Sequence, residues 1–437
     1  MNKDNTLRPL VALSRSREGM QFIIHRGARQ VGGSCVELNF NDSTILLDIG
    51  LPLDSDFSDD PEFYLPQPLF NELKNGKKKI DAAILSHAHL DHYGLAGMLP
   101  TGVPVYCGKA SAELMAITGQ ISPEKTQPLE LQFFKAWKEF QVGAFSVTPY
   151  LMDHSAFDAY GFLISAGGKS LFYTGDFRGH CRKAKLLDHM VQNPPKVNVL
   201  WMEGTLVGER TNELTITEQD LENQFASVIK KTPGIVLVTT SSQNIDRLVT
   251  IFKATIRTDR KLIIDFYTAE ILDRLKPYAK LPLASWAKIR VCYPQLLARR
   301  FEKLGLDDIL VRHRRNGIKW TRIKEIENNA VMLIRAGFLY DIKRFLGLEG
   351  ATWIYSLWPG YFERSKPLRN LKSYLEDKGV RYEYMHTSGH AKLEDLKKLV
   401  DAMAPEMVIP IHSFHPDKFK DYFPNVRLVN DGEVVNL

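Results

Sequence analysis

Residues 84–94 read ILSHAHLDHYG, which puts three histidines and an aspartate within six positions, His87 to His92, of a 437-residue chain that has twelve histidines in all. In an extended segment alternate side chains project to the same side. His87 and His89 therefore point together, and Asp91 and His92 turn elsewhere. One short loop can supply ligands to two neighbouring ions, because imidazole and carboxylate are donors that zinc accepts. A merely polar loop is the other reading, and HxHxDH weighs against it far more than a lone histidine would.

Working outward, KIDAAILS (79–86) is short, apolar and bounded by polar residues, as a buried strand is. The histidines thus sit at the carboxyl end of a strand, where chemistry in α/β sheets is often found. The same order recurs: Asp48 closes TILLD, His154 follows VTPYLMD, Asp176 follows SLFYTG and His412 follows EMVIPI. Each alone reads as a turn residue; the recurrence does not.

Further β-rich runs lie at 20–30, 34–40, 103–108, 161–167 and 198–205, with a helical stretch around 110–119 and an acid- and proline-rich loop at 54–68. From about Glu218 the pattern lengthens into helix and strand units, 217–231, 234–240, 244–255 and 260–266, followed by strands at 329–336 and 351–358. That alternation predicts a parallel α/β domain in the middle of the chain. Residues 382–413 read as strand, loop, helix and strand.

Hydrophobic content of 44% and charged content of 25% are those of an ordinary globular protein, and the net charge of +6 is compatible with a polyanionic partner. Cys35, Cys107, Cys181 and Cys292 are scattered and form no CxxC pair, which argues against a zinc knuckle or a disulfide framework. The N-terminus is too polar for a signal peptide, and no apolar run is long enough for a membrane span. A cytoplasmic location is the expectation.

HxHxDH, then His154, then Asp176 in TGDF resembles the metallo-β-lactamase fold, an α/β architecture built as an αββα sandwich with a two-metal site at one edge. LLDIG with Asp48 matches that family's early aspartate, which supports the site from behind the ligands. WMEGT with Glu203, TSGHA with His390 and IPIHS with His412 are similar to the three further motifs of the β-CASP nucleases, in which an α/β domain is inserted within the hydrolase domain. The resemblance implies a first metallo-β-lactamase part at 1–210, a β-CASP insert at 211–380 and a C-terminal return at 381–437. A histidine in the last motif resembles the RNA-processing members, above all the RNase J type; DNA-processing members usually carry valine there. Two features depart from RNase J. LIRAGFLYDI (333–342) stands where a Gly-Ser-Gln-Gly segment is usual, and the sequence ends shortly after His412, where RNase J proteins continue into a further domain.

By this resemblance His87, His89 and His154 hold one zinc, Asp91, His92 and His412 a second, and Asp176 bridges them, with manganese as an alternative ion. His390 is the expected general acid, oriented by Glu203, and Asp91 is essential to catalysis. Thr387, Ser388 and Gly389 are candidates for binding phosphate, or simply cap the helix that follows; Ser241 and Ser242 either bind phosphate or cap the helix near Asn244. His386 is a supporting residue and His415 a loop histidine. The expected partner is RNA, single-stranded, with no membrane association; a homo-oligomer stays open. A DNA nuclease, another phosphodiesterase on the same fold, and a non-catalytic RNA-binding subunit are the competing functions. The basic run VRHRRNGIKWTRIK (311–324) and the aromatics Trp358, Tyr361 and Phe362 are further candidates for RNA contact.

Overall fold

The computed structural model describes residues 19–55, 60–121, 128–211 and 216–437. The polar N-terminus and part of the acidic loop at 54–68 lie outside them. Among the described residues, two sheets face each other. The first runs Val434–Asn436, Gln21–Arg26, Cys35–Phe40, Ser43–Ile49, Ala82–Ile84, Pro104–Cys107 and Glu130–Phe133. The second runs Met407–Ile411, Val199–Glu203, Lys169–Tyr173, Ala159–Ala166, Phe145–Met152 and Phe140–Val142. Alternate residues of each strand meet between the sheets. Phe22, Val36, Leu38, Ile45 and Leu47 from the first pack on Phe162, Ile164, Leu171, Tyr173 and Trp201 from the second. On the outer face of the second sheet, Phe172, Leu200 and Met202 are covered by helices Lys185–Gln192 and Leu393–Met403 through Leu187, Met190, Leu396 and Leu399. The first sheet is covered by Gln67–Lys74 and Lys109–Ile121. This is the αββα sandwich.

The chain leaves the sandwich after Val199–Glu203 and returns along Met407–Ile411, which pairs in parallel with it and sets Glu203 opposite Ile411. Between them lies a third sheet, all parallel, in the order Ile289–Cys292, Lys261–Asp265, Ala330–Leu333, Val236–Thr239, Thr352–Tyr355 and Arg381–Tyr384. The last of these strands, RYEY, is an edge strand without the apolar run that marks its neighbours, and with it the third sheet reaches to Tyr384. The stretch 54–68, read as loop, turns into the helix Gln67–Lys74 at its end, with Pro68 in the first turn where a missing N–H costs nothing.

Two expectations for the inserted domain change. Trp320 of the basic run is buried, donates its indole N–H to Tyr293 O at 3.2 Å and stacks with Phe345, so it is core and not a face for bases. Arg312 and His313 are held by the buried Glu270, at 2.6 and 3.0 Å. The helix Ile245–Arg257 is capped by Asn244, whose side chain accepts from Arg247 N, and not by Ser241 or Ser242.

Candidate active site

The ligand candidates converge where both sandwich sheets end. One nitrogen or oxygen from each of His87, His89 and His154 lies within 4.8 Å of the others, and the same holds for Asp91, His92 and His412. Asp176 stands between the sets, with Oδ2 3.2 Å from His92 Nε2 and 4.0 Å from His87 Nε2, and Oδ1 3.5 Å from His412 Nδ1. Nε2 of His154 approaches Nδ1 of His89 to 3.3 Å, the spacing of two donors sharing one ion.

Neighbours fix which ring atoms are free. A carboxylate only accepts, so Asp48 Oδ2, 2.8 Å from His92 Nδ1, sets the hydrogen on Nδ1 and frees Nε2. Gly389 O does the same for His154 at 2.6 Å. A Cβ at position 389 would lie 2.6 Å from Ser155 Oγ, so a side chain there would push that hydroxyl aside. Thr205 Oγ1 sits 2.9 Å from His412 Nδ1, and Ser86 Oγ 3.0 Å from His87 Nδ1. Asp48 is the extra residue of a bulge, since Cys35 pairs with Ile49 but Val36 with Leu47. With φ at 53° it turns beneath the histidine loop, where it accepts from Ser86 N, Ser86 Oγ and Tyr173 OH. His412 has the same φ of 53°. Left-handed backbone at such residues costs roughly 1–2 kcal/mol, which the surrounding bonds offset.

Burial, reinforced by neighbouring imidazoles, holds His87 and His154 well below the usual histidine range and brings His89 to about 4. Burial opposes the charge on Asp91, but a hydrogen bond from His412 and the adjacent imidazoles win and lower it to about 2. Asp176 is likewise held well below the ordinary carboxylate range, against burial, by His412, His92 and His390. His92 runs the other way, because Asp176 and Asp48 outweigh burial and raise it well above the usual histidine range. Neutral imidazoles at His87, His89 and His154 beside ionised carboxylates are donors a divalent cation accepts, and His92 joins them on giving up its proton. The fit has a second mark. His87 Nε2, His92 Nε2 and Asp176 Oδ1 are buried with no hydrogen-bond partner, a cost that native structures rarely leave unexplained.

Beside this cluster, Glu203 accepts from the backbone N–H groups of Phe177, Thr205 and Ala391 at 3.0, 3.3 and 3.3 Å. Its remaining contact is His390 Nδ1, at 3.1 Å from Oε2. A carboxylate so occupied suits holding an imidazole better than holding a metal. Burial works against protonation of His390, yet Glu203 and Asp176 outweigh it and raise its pKa.

The other expected residues make hydrogen bonds or contacts within the chain. Thr387 donates to Ile216 O at 2.5 Å, and Ser388 Oγ accepts from His390 N at 3.1 Å. Neither caps the helix that follows, which begins only at Leu393 after Lys392. Ser242 is buried between Thr268 and Arg335, while Ser241 Oγ accepts from Gln243 N in a turn. His386 is half-buried and pushed down to about 3, mainly by desolvation. His415 packs against Gly208.

Arg178 was not anticipated. Fully buried, it donates to Asp153 at 3.2 Å, to the carbonyls of Ser388 and His154 at 3.2 and 3.3 Å, and to Asp246 of the inserted domain at 2.6 Å. It braces the loops bearing His154 and His390 against that domain. Asp153 adjoins His154 and Thr205 closes the WMEGT stretch two residues after Glu203, so both were legible on that ground; Arg178 and Asp246 meet only through folding.

Residues 56–231 match the family described as Beta-lactamase superfamily domain, and residues 378–422 the one described as Zn-dependent metallo-hydrolase RNA specificity domain. The chain is 23% identical over 410 residues to Ribonuclease J of Mycoplasma genitalium, covering 88% of this chain and 66% of the relative. It is 23% identical over 434 residues to Ribonuclease J of Thermus thermophilus, covering 91% of this chain and 68% of the relative. The chain thus spans about two thirds of the length of these curated relatives. A crystal structure of a protein of unknown function from Enterococcus faecalis V583 superposes with a TM-score of 0.77 at 21% identity, over 96% of this chain and 100% of that one, and supports the fold. The donor set fits metal binding, and among the described residues no helix is long and apolar enough to cross a membrane. Together the two family matches, the curated relatives and the fold mark the chain as similar to the β-CASP nucleases of the metallo-β-lactamase superfamily, and to RNase J-type ribonucleases among them.

Proposed function

We propose that this protein is a metal-dependent ribonuclease that hydrolyses phosphodiester bonds of single-stranded RNA in RNA processing or decay. The observation that carries the reading is the adjacency of two ligand sets around Asp176 to a separate Glu203–His390 pair. His87, His89 and His154 would hold one zinc, and Asp91, His92 and His412 the other, with Asp176 shared. Metal bound there acidifies a water and neutralises charge on the phosphate oxygens.

The remaining chemistry falls to the chain's own groups. Glu203 accepts a hydrogen bond from Nδ1–H of His390 and favours its imidazolium form, whose Nε2–H delivers the proton to the departing 3′-oxygen and leaves a neutral imidazole still bonded to Glu203. Asp48, Gly389 and Thr205 keep three ligand imidazoles in register, so the phosphate meets a preset arrangement.

The test is a cleavage time course on one RNA bearing a 5′-monophosphate, labelled at either end, with zinc or manganese and a chelator control. Metal-dependent products ending in 5′-phosphate are expected, with DNA of the same sequence competing poorly. Immediate mononucleotide release from the 5′ label indicates exonuclease action, and discrete internal fragments endonuclease action. Cleavage retained by a metal-free Asp91→Ala protein would refute the reading.

A further inference from the structure

The segment Trp358–Arg364 follows strand Thr352–Tyr355 at its carboxyl end. Its three aromatic residues part ways. Phe362 turns inward, with its ring 4.2 Å from Tyr355. Trp358 and Tyr361 stay 37% and 47% exposed, edge to face with centroids 5.8 Å apart. The guanidinium of Arg364 lies 5.8 Å from the indole centroid.

These rings are held in place. The indole lies across bare backbone at Gly360, where a Cβ would come within 2.1 Å of Trp358 Cη2. Tyr355 OH donates to Trp358 O at 3.1 Å. Arg364 Nη1 donates to Leu53 O at 2.9 Å, tying the segment to the sandwich. The Leu53 side chain crowds the space above Gly32 together with Asp91: a Cβ at that glycine would lie 2.6 Å from Leu53 Cγ and 3.2 Å from Asp91 Oδ2. The cluster therefore stands at the mouth of the ligand set.

We infer that Trp358, Tyr361 and Arg364 form a stacking site for one nucleobase of the RNA, the base of a nucleotide flanking the cleaved phosphate. Two fixed, exposed rings with a cation at their edge are what base stacking uses, and every base offers a π face, so the site is tolerant of sequence. The inference rests on the ribonuclease reading and adds to it a place that grips a base rather than a phosphate.

The experiment moves a single abasic nucleotide through the positions flanking the cleavage point and measures KM with the metal-loaded protein. At one position the missing base is expected to raise KM about 5- to 100-fold. Trp358→Ala and Tyr361→Ala should raise KM on intact RNA to a similar extent, with Tm and bound metal as in the parent, and add almost nothing on the RNA abasic at that position. Losses that simply multiply, or wild-type KM in both variants, would overturn the stacking site while leaving the ribonuclease reading intact. Failure of the metal-loaded parent to cut any RNA would overturn that reading and the site with it.

Discussion

Where the sandwich sheets end, His87 and His92 each bury Nε2, and Asp176 buries Oδ1, with no hydrogen-bond partner. In the inserted domain, Glu218 and Arg247 are buried as deeply, yet their polar atoms are matched. Glu218 accepts from Arg247 Nε and Nη2 at 3.1 and 2.9 Å and from Thr250 Oγ1 at 2.6 Å, and Arg247 also reaches Ser356. The ingredients are alike: buried charges and polar hydrogens contributed by elements far apart in sequence. The difference lies in what is left over. A closed set of donors and acceptors holds a domain together, and a set with inward-facing acceptors unmatched is built to receive a cation.

The comparison breaks most severely at Asp176. Asp176→Ala should drop RNA cleavage below detection and abolish the stabilisation that added metal confers. In the parent, metal at a hundred times its dissociation constant adds about 2.7 kcal/mol, read as a rise in Tm over the chelated protein. An equal rise in the variant would mean that the unmatched atoms are not a metal site. His390→Ala separates proton delivery from metal holding. The expected loss is about 10²- to 10⁴-fold in kcat with metal content unchanged, measured by single-turnover cleavage and elemental analysis. Loss of metal together with activity would reassign His390 to the ligand set.

Much of the candidate ligand cluster was legible because His154, Asp176 and His412 follow apolar strands and the other ligands share the HxHxDH stretch after a fourth, so local pattern and residue chemistry point to the same positions. The αββα core was legible for the same reason: short alternating strands between polar turns. What could not be read depends on contacts across the chain. Arg178 and Asp246 meet over 68 residues. Trp320, amid arginines and lysines, looked like a face for nucleic acid and is core, because sequence gives the charges without saying which way the helix Trp320–Glu325 is turned. The polar strand Arg381–Tyr384 was read as a strand, but its place at the edge of the third sheet was not legible, because pairing and not hydrophobicity sets it there. Thr387 and Ser388 were read as phosphate binders or as caps of the following helix; that helix forms only at Leu393, and both side chains tie the His390 loop down.

Removing one partner of the matched pair tests the other half of the comparison. Glu218→Gln leaves Arg247 buried without its counter-charge, at an expected cost of about 3–5 kcal/mol in urea unfolding. The stabilisation by metal should be the same as in the parent, since the pair shares no atom with the ligand set. A smaller response to metal would show that the inserted domain and the metal centre stabilise one another, through Arg178 and Asp246.

The smallest effect is the most diagnostic, because it isolates charge from shape. Burial opposes ionisation of Glu218, but Arg247 and Thr250 prevail and bring it from an ordinary 4.5 down to about 2. A carboxyl with a lowered folded pKa contributes stability that is full above its unfolded value and is lost as pH falls through the folded one. The advantage of the parent over Glu218→Gln should therefore be constant above about pH 4.5, shrink between there and about 2, and vanish below, where both side chains are neutral. Paired urea titrations at a series of pH values on metal-free protein keep the ligand histidines out of the difference. A gap that persists undiminished at pH 2 would mean that the amide fails to fit the site, so that geometry rather than charge pairing holds this end of the inserted sheet.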